Sequence, residues 1–286
     1  MAKSARRSIM NVWFAGCNPQ KGKVMKVKQF SIVLALTGMF FCGPLWADLS
    51  DTIAKVKPSV VIVGTYKATN SPRFGLRGTG FVVRRSGSGG SNLVITNAHV
   101  LEQPAEADLG AALVIQIRTG ADELQMRPAV VLEVDTLHDL ALLQFDGPMA
   151  NALGVGDSDS VQEGQAVAFT GFPIGGALGF SPVTHRGIVS SIAAAALPTP
   201  TARVLNAQTI RSVRTGSFNV FQLDGTAYPG NSGGPLFDPG SGAVLGVVNM
   251  VFIKGSRESA LSAPSGISYA IPSKFIVELL QRQTNK

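Results

Sequence analysis

The chain has 286 residues, of which 45% are hydrophobic and 15% are charged, a composition typical of folded globular proteins and not of disordered ones. Its formal net charge of +7 comes from the first 47 residues, which hold seven Lys and Arg and no acidic residue, leaving 18 of the 25 basic residues to balance the 18 acidic ones. Because the rest of the chain is neutral overall, the composition argues against a nucleic-acid partner.

Residues 1–47 have the parts of a secretory signal peptide. Lys26 and Lys28 precede an uncharged apolar run at 30–42, and cleavage after 45–47 would leave Asp48 at the new N-terminus. The sequence therefore predicts a periplasmic or secreted protein that contacts the membrane, if at all, through this leader. Retention of the leader as an inner-membrane anchor is the alternative.

Three other residues in the leader bear on processing. Met25 lies directly before the signal-like segment, so it is a candidate true start, with 1–24 as an upstream extension. The two cysteines, Cys17 and Cys42, both lie in the leader, so a chain cleaved before Asp48 is expected to hold no disulfide.

After the leader, the pattern predicts a short helix at 48–57, capped by Ser50 or Asp51 and stopped by Pro58. A succession of short strands follows, separated by Gly, Pro, Ser and Asn turns. The predicted strands are 60–66, 80–84, 93–96, 112–118, 127–134, 141–145, 166–171, 183–192, 220–223, 244–251 and 267–270. Strands at this spacing without long helices between them favour an all-β barrel or sandwich.

The turn-rich segment 147–164 divides these strands into two comparable sets, so we predict domains at 48–150 and 151–286. A second irregular stretch at 193–218 is expected to project as a loop near the functional site. A final helix starts at Pro272-Ser273, and its apolar residues fall on one face, which we expect to pack on the second domain. These residues are Phe275, Ile276, Leu279 and Leu280.

The most informative segment is the turn Gly230-Asn231-Ser232-Gly233-Gly234-Pro235. Glycines permit a tight backbone turn that presents a serine hydroxyl and aims N–H groups at a substrate oxygen. Taken alone, the segment is equally consistent with a nucleophilic serine and with an ordinary surface turn. A nucleophilic serine requires a base and an orienting acid elsewhere in the chain.

The chain has three histidines, and one of them, together with an aspartate, lies where such partners are expected. His99 follows the predicted strand 93–96, and Asp139, preceded by His138, opens another apolar strand. His185 is interpreted as a structural residue. The chain order His, Asp, Ser is that of chymotrypsin-type folds, not of subtilisins or α/β-hydrolases.

Over most of residues 49–274 the sequence resembles the HtrA/Deg-type branch of the trypsin-like serine proteases. Besides the serine turn, the resemblance rests on IAKVKPSVV at 53–61, GTGFVV at 78–83, TNAHV at 96–100, DLALL at 139–143, GFPIG at 171–175, GIVS at 187–190 and GISYAIP at 266–272. It implies two packed six-stranded antiparallel β-barrels with the site in the cleft between them, plus short N- and C-terminal helices.

The resemblance also implies the roles of individual residues. Ser232 would be the nucleophile, His99 the general base and Asp139 the orienting acid, with the N–H groups of Gly230 and Ser232 as the oxyanion hole. The reaction would be hydrolysis of peptide bonds in unfolded or damaged proteins through an acyl-enzyme. No metal and no organic cofactor is expected.

The resemblance places Thr226 at the base of the substrate pocket, with Tyr228 and Met250 nearby. A neutral pocket base predicts a small or medium apolar residue at the cleaved position, not Arg or Lys. Asn231 stands where digestive trypsin-like enzymes carry Asp, so activation by an ion pair with a new N-terminus is not expected. About a dozen residues follow 272–273, too few for a PDZ domain.

Two alternatives stay open. A trypsin-fold protein could bind unfolded chains, like a chaperone, with low or no resting proteolysis. An esterase would use the same triad chemistry on another acyl group. The family resemblance is also compatible with assembly of this chain into a homo-oligomer.

Overall fold

The computed structural model describes residues 48–85, 87, 89–102, 110–120, 123–173, 179–194, 218–249 and 266–284. All of these belong to one compact unit, Trp46–Lys286. The predicted leader, Met250 and most of the predicted loop at 193–218 lie outside the described residues.

The first six strands close into an antiparallel barrel. They are β1 Val60–Tyr66, β2 Phe74–Val83, β3 Leu93–Thr96, β4 Ala112–Arg118, β5 Leu124–Asp135 and β6 Leu140–Phe145, in the spatial order β1-β2-β3-β6-β5-β4. β1 pairs with both β2 and β4, which closes the ring. Val61, Val63, Val94 and Leu143 are among the buried residues that fill its interior.

The last six strands form a second closed barrel. They are β7 Ala166–Gly171, β8 Val183–Ala194, β9 Asn219–Asp224, β10 Pro235–Phe237, β11 Val244–Asn249 and β12 Ile267–Pro272, in the order β10-β11-β12-β9-β8-β7. Phe169, Phe221, Leu223 and Val248 are buried in its core. Two closed six-stranded antiparallel barrels confirm the all-β architecture that the resemblance implied.

A third apolar cluster joins the two barrels. Ile62 and Ile95 of the first barrel share it with Val247 and Ile271 of the second. Strands β3 and β11 are consequently buried along their whole length. This explains their continuous apolar sequences, since one face lines its own barrel and the other packs on the neighbour.

Within the described ranges, two α-helices flank the barrels. α1 is Leu49–Val56, and α2 is Lys274–Thr284, whose four predicted apolar residues are buried as expected. The predicted N-cap of α1 is wrong: Asp48, not Ser50 or Asp51, caps the helix, and its carboxylate accepts a hydrogen bond from the Ser50 N–H. Neither helix in the described part of the chain is long and apolar enough to cross a membrane.

Two strands differ most from the sequence expectation, and the bounds of the others agree within three residues. β2 begins at Phe74 instead of residue 80, because the polar and Gly-rich start of this strand pairs with β1 across a β-bulge. β10 was not predicted as a strand. It has three residues and begins with Pro235. Proline is tolerated there because the first residue of a strand does not need a backbone N–H for the hydrogen bonds of the sheet.

Candidate active site

His99 and Asp139 meet because the strands that carry them are neighbours. His99 lies in a 3₁₀ turn, Ala98–Val100, directly after β3, and Asp139 directly precedes β6. Thr96 at the end of β3 pairs with Ala141 at the start of β6. His99 and Asp139, which lie just beyond these two residues, are therefore at the same edge of the barrel.

The contact between these two residues has two points. The Asp139 Oδ2 lies 2.6 Å from His99 Nδ1, and Oδ1 accepts the backbone N–H of His99 at 2.8 Å. A carboxylate can only accept hydrogen bonds, so Nδ1 carries the proton and Nε2 is left as the basic nitrogen. The arrangement therefore fixes both the tautomer and the orientation of the imidazole.

The backbone at Asp139 adopts a left-handed conformation. Its φ is +51°, the single positive value at a non-glycine residue in the described part of the chain. The Asp139 carbonyl accepts hydrogen bonds from the Ala98 N–H at 3.1 Å and from Asn97 Nδ2 at 2.9 Å. Asp tolerates this region better than most residues, and such conformations persist where surrounding contacts hold them.

A second residue contacts the Asp139 carboxylate, and its role was not predicted from the sequence. Asn249, fully buried at the end of β11 in the second barrel, donates from Nδ2 to Asp139 Oδ2 at 2.7 Å. The sequence offers one local indication of this role, which is that Asn249 is a polar residue at the end of an otherwise apolar strand. Asp139 is thus held from both barrels.

Ser232 lies in the loop between β9 and β10, and it is 6% exposed. The loop needs its glycines: φ is +104° at Gly230 and +85° at Gly233. A Cβ at Gly230 would lie 2.2 Å from the Phe172 carbonyl oxygen, and one at Gly233 would lie 2.0 Å from that of Thr79. The predicted tight turn around the serine is therefore present.

Thr79 of β2 ties this serine loop to the first barrel. Its hydroxyl donates to the Gly230 carbonyl at 2.6 Å, and its N–H donates to the Ser232 carbonyl at 2.9 Å. Thr79 lies within the GTGFVV motif, but its role was not predicted. Since β2 pairs with β3, these bonds bring the serine loop to the strand that leads into His99.

The other side of the serine loop is bonded to the strand that carries Asn249. The Gly233 N–H donates to the Val248 carbonyl at 2.9 Å. The Gly234 N–H donates to the Asn231 carbonyl at 2.9 Å. Because N–H and C=O of a trans peptide point in opposite directions, the second bond directs the Ser232 N–H away from the loop interior.

Asn231 is fully buried, and neither Nδ2 nor Oδ1 of its side chain has a hydrogen-bond partner in the described structure. The side chain packs against Gly171, where an added Cβ would lie 2.6 Å from Oδ1.

Of the predicted pocket residues, Thr226 and Tyr228 are half-buried on the segment that leads into the serine loop, and Met250 lies outside the described residues. His185 lies beneath this segment. Its ring stacks on Phe169, with centroids 4.9 Å apart, and lies 6.2 Å from the ring of Tyr228. Its buried Nε2 has no hydrogen-bond partner among the residues that the structure describes, and burial lowers the pKa of His185 below its ordinary value of 6.5.

The lowered pKa of His185 predicts acid-sensitive folding. Below about pH 6.5 the unfolded chain binds a proton here that the folded chain does not bind until a lower pH, so the free energy of unfolding falls as the pH drops. We expect His185→Leu to reduce the difference in Tm between about pH 7.5 and about pH 5.5, measured by differential scanning fluorimetry. An unchanged difference in the variant would contradict the prediction.

Comparisons with known proteins all identify peptidases. Residues 78–247 match the family described as trypsin-like peptidase domain. The chain is 28% identical over 254 residues to the serine protease Do-like HtrA of Bacillus subtilis (strain 168), covering 84% of this chain and 49% of that protein. It is 24% identical over 269 residues to the mitochondrial serine protease HTRA2 of Drosophila erecta, covering 92% of this chain and 54% of that one.

Two further matches agree with these. A probable periplasmic serine endoprotease, DegP-like, of Marinomonas sp. (strain MWYL1) is 29% identical over 206 residues, covering 72% of this chain and 35% of that protein. The solved structure of the HtrA-type protease AlgW with tripeptide superposes with a TM-score of 0.58 at 24% identity, covering 82% of this chain and 62% of that one, a likeness of fold. The chain spans about half the length of the first two relatives.

Proposed function

This chain belongs to the family of trypsin-like peptidase domains, and on that premise we propose that it is an exported serine endopeptidase that hydrolyses peptide bonds through a His99, Asp139 and Ser232 triad. The observation that carries the proposal is the two-point contact between Asp139 and His99, which leaves Nε2 of the imidazole as the base. That nitrogen would take the proton of the Ser232 hydroxyl as its Oγ attacks a peptide carbonyl.

His99 then returns the proton to the leaving amine, and an acyl-enzyme on Ser232 remains. Water, deprotonated by the same imidazole, hydrolyses the ester. Asp139 stabilises the imidazolium formed in each half-reaction, and the bond from Asn249 keeps the carboxylate oriented for this. The chemistry uses residues from both proposed domains, 48–150 and 151–286.

The N–H groups of Gly230 and Ser232 form the proposed oxyanion hole. Both residues belong to the tight loop, and their carbonyls accept hydrogen bonds from Thr79, which ties the loop to the first barrel. Preorganised donors of this kind stabilise the developing oxyanion by about 3 kcal/mol each.

We propose that the substrates are unfolded or damaged proteins, cleaved after a small or medium apolar residue. The relatives named above are proteases, and the pocket segment contributes the uncharged Thr226 and Tyr228; Met250 is proposed to complete it. Profiling with a peptide library tests this specificity, and a dominant preference for Arg or Lys would refute it.

N-terminal sequencing of the exported protein tests the proposed cleavage before Asp48.

The activity itself is tested with the purified chain, β-casein and a fluorophosphonate probe, beside a Ser232→Ala control. The proposal expects casein cleavage and labelling by the wild type only. Cleavage of simple esters without peptide hydrolysis would favour the esterase. Binding of unfolded casein with neither labelling nor cleavage would favour the chaperone-like protein.

A further inference from the structure

Helix α2 contacts the turn that precedes Asp139 through a cluster of four residues: Asp135, His138, Phe275 and Arg282. We name it the helix-anchor cluster. Arg282, in the last turn of α2, donates to Asp135 Oδ2 at 2.5 Å. The same carboxylate oxygen lies 2.9 Å from His138 Nδ1.

The other oxygen of Asp135 organises the turn itself. Oδ1 accepts the backbone N–H groups of Leu137 and His138, each at 3.1 Å. Every bond in this set ends on one carboxylate. Burial alone would raise the pKa of Asp135, but the hydrogen bonds from His138 and Arg282 outweigh it and hold the pKa below its ordinary value of 3.8. The carboxylate is therefore ionised across the working pH range.

The His138 ring completes the contact with the helix. It stacks on Phe275 with ring centroids 3.7 Å apart, and Phe218 packs edge-on against both rings. His138 is 8% exposed. The turn is thus fixed to α2 both by a charged hydrogen bond and by aromatic packing.

This turn ends at Asp139, the residue with the left-handed backbone. From one side the chain is held by the bonds of Asn97 and Ala98 to the Asp139 carbonyl. From the other side it is held by the helix-anchor cluster, one residue away. A left-handed backbone at a residue other than Gly persists where surrounding contacts hold it, so loss of one set is expected to let the carboxylate move relative to His99.

We propose that Arg282 is a positioning residue for catalysis: through Asp135 it holds the turn that places the Asp139 carboxylate against His99. The inference rests on the proposed function for its catalytic consequence. Misplacement of a catalytic group by about 1 Å can lower the rate about 100-fold. Arg282 touches neither substrate nor the reacting atoms, so its effect would pass through Asp135.

α2 supplies a matched control. At its other end Lys274 forms a salt bridge of 2.9 Å with Asp159, and both side chains are well exposed, at 43% and 70%. Lys274→Gln removes a cation from the same helix and leaves every hydrogen bond to Asp135 in place; its one contact with the helix-anchor cluster is the approach of Lys274 Nζ to the Phe275 ring, 5.5 Å from the centroid. Arg282→Gln removes the charge that faces Asp135, and Arg282→Lys restores it.

We expect Arg282→Gln to lower kcat about 10- to 100-fold with KM changed less than about twofold, Arg282→Lys to recover much of that loss, and Lys274→Gln to match the wild type. Rates are measured on a fluorogenic peptide well below the Tm of each variant. Equal kcat in Arg282→Gln and Lys274→Gln would overturn the proposal. So would a loss explained entirely by a smaller folded fraction.

A second measurement does not depend on activity. The proton shared by His99 Nδ1 and Asp139 is followed by low-field proton NMR in the wild type and in the three variants. A shift or broadening of this resonance in Arg282→Gln alone supports the positioning role even if the wild type hydrolyses no peptide, a result that would refute the proposed function separately. An identical resonance in all four proteins would refute the positioning role.

Discussion

Replacing Ser232 with alanine is expected to lower kcat/KM for peptide hydrolysis by about 10⁶-fold, because no other group in the proposed site can form the acyl-enzyme. His99→Ala should cause a loss of similar size, since an unactivated serine hydroxyl is a weak nucleophile. The double variant should be no slower than either single one, because the two residues act as a unit. The measurement is initial-rate kinetics on a fluorogenic peptide, with fluorophosphonate labelling as a second readout.

The matched control is Ser241→Ala, which removes the hydroxyl of an exposed serine on the loop between β10 and β11. This variant should retain wild-type kinetics. Ser232→Ala should also keep its Tm within a few degrees, since alanine fits the same backbone. Residual cleavage by Ser232→Ala above about 1% of the wild-type rate would show that another nucleophile acts, against the roughly 10⁶-fold expectation.

The all-β class was predictable because the strands carry apolar runs punctuated by Gly, Pro and Asn, whereas the two six-stranded barrels were implied by the family resemblance. In β3 and β11 these runs are continuous because both faces are buried between the two barrels. β10 escaped prediction because it is three residues long and begins within the serine turn. The N-cap of α1 was predicted wrongly because Asp48, Ser50 and Asp51 lie within four positions and are all favoured N-cap residues. The sequence around them does not show which of the three begins the helix.

The supporting residues of the site were not predictable, for a different reason. Asn249 lies 110 positions from Asp139, and Thr79 lies 151 positions from Gly230, so no local spacing connects either pair. His99, Asp139 and Ser232 could be proposed from the sequence because each sits in a distinctive short motif in the expected order. The contacts that orient them depend on how two barrels pack, and that packing is a property of the whole apolar interface.

The second large effect is expected for Asp139→Asn, which should lower kcat/KM by about 10⁴-fold while leaving the fold intact. Both carboxylate oxygens are surrounded by donors: Oδ1 by the His99 N–H, and Oδ2 by His99 Nδ1 and Asn249 Nδ2. An amide has one acceptor oxygen and one NH₂ group, so one donor must face another donor.

If the amide NH₂ takes the Oδ2 position, His99 Nδ1 must lose its proton to accept from it, and the imidazole switches to the tautomer with the proton on Nε2. That nitrogen can no longer take the proton of Ser232, so the loss falls on kcat, with little change in KM. Asp159→Asn, which changes an exposed carboxylate, is the matched control and should behave as the wild type. A loss smaller than about tenfold in Asp139→Asn would mean that the imidazole keeps its orientation without the carboxylate, and the role assigned here to Asp139 would be wrong.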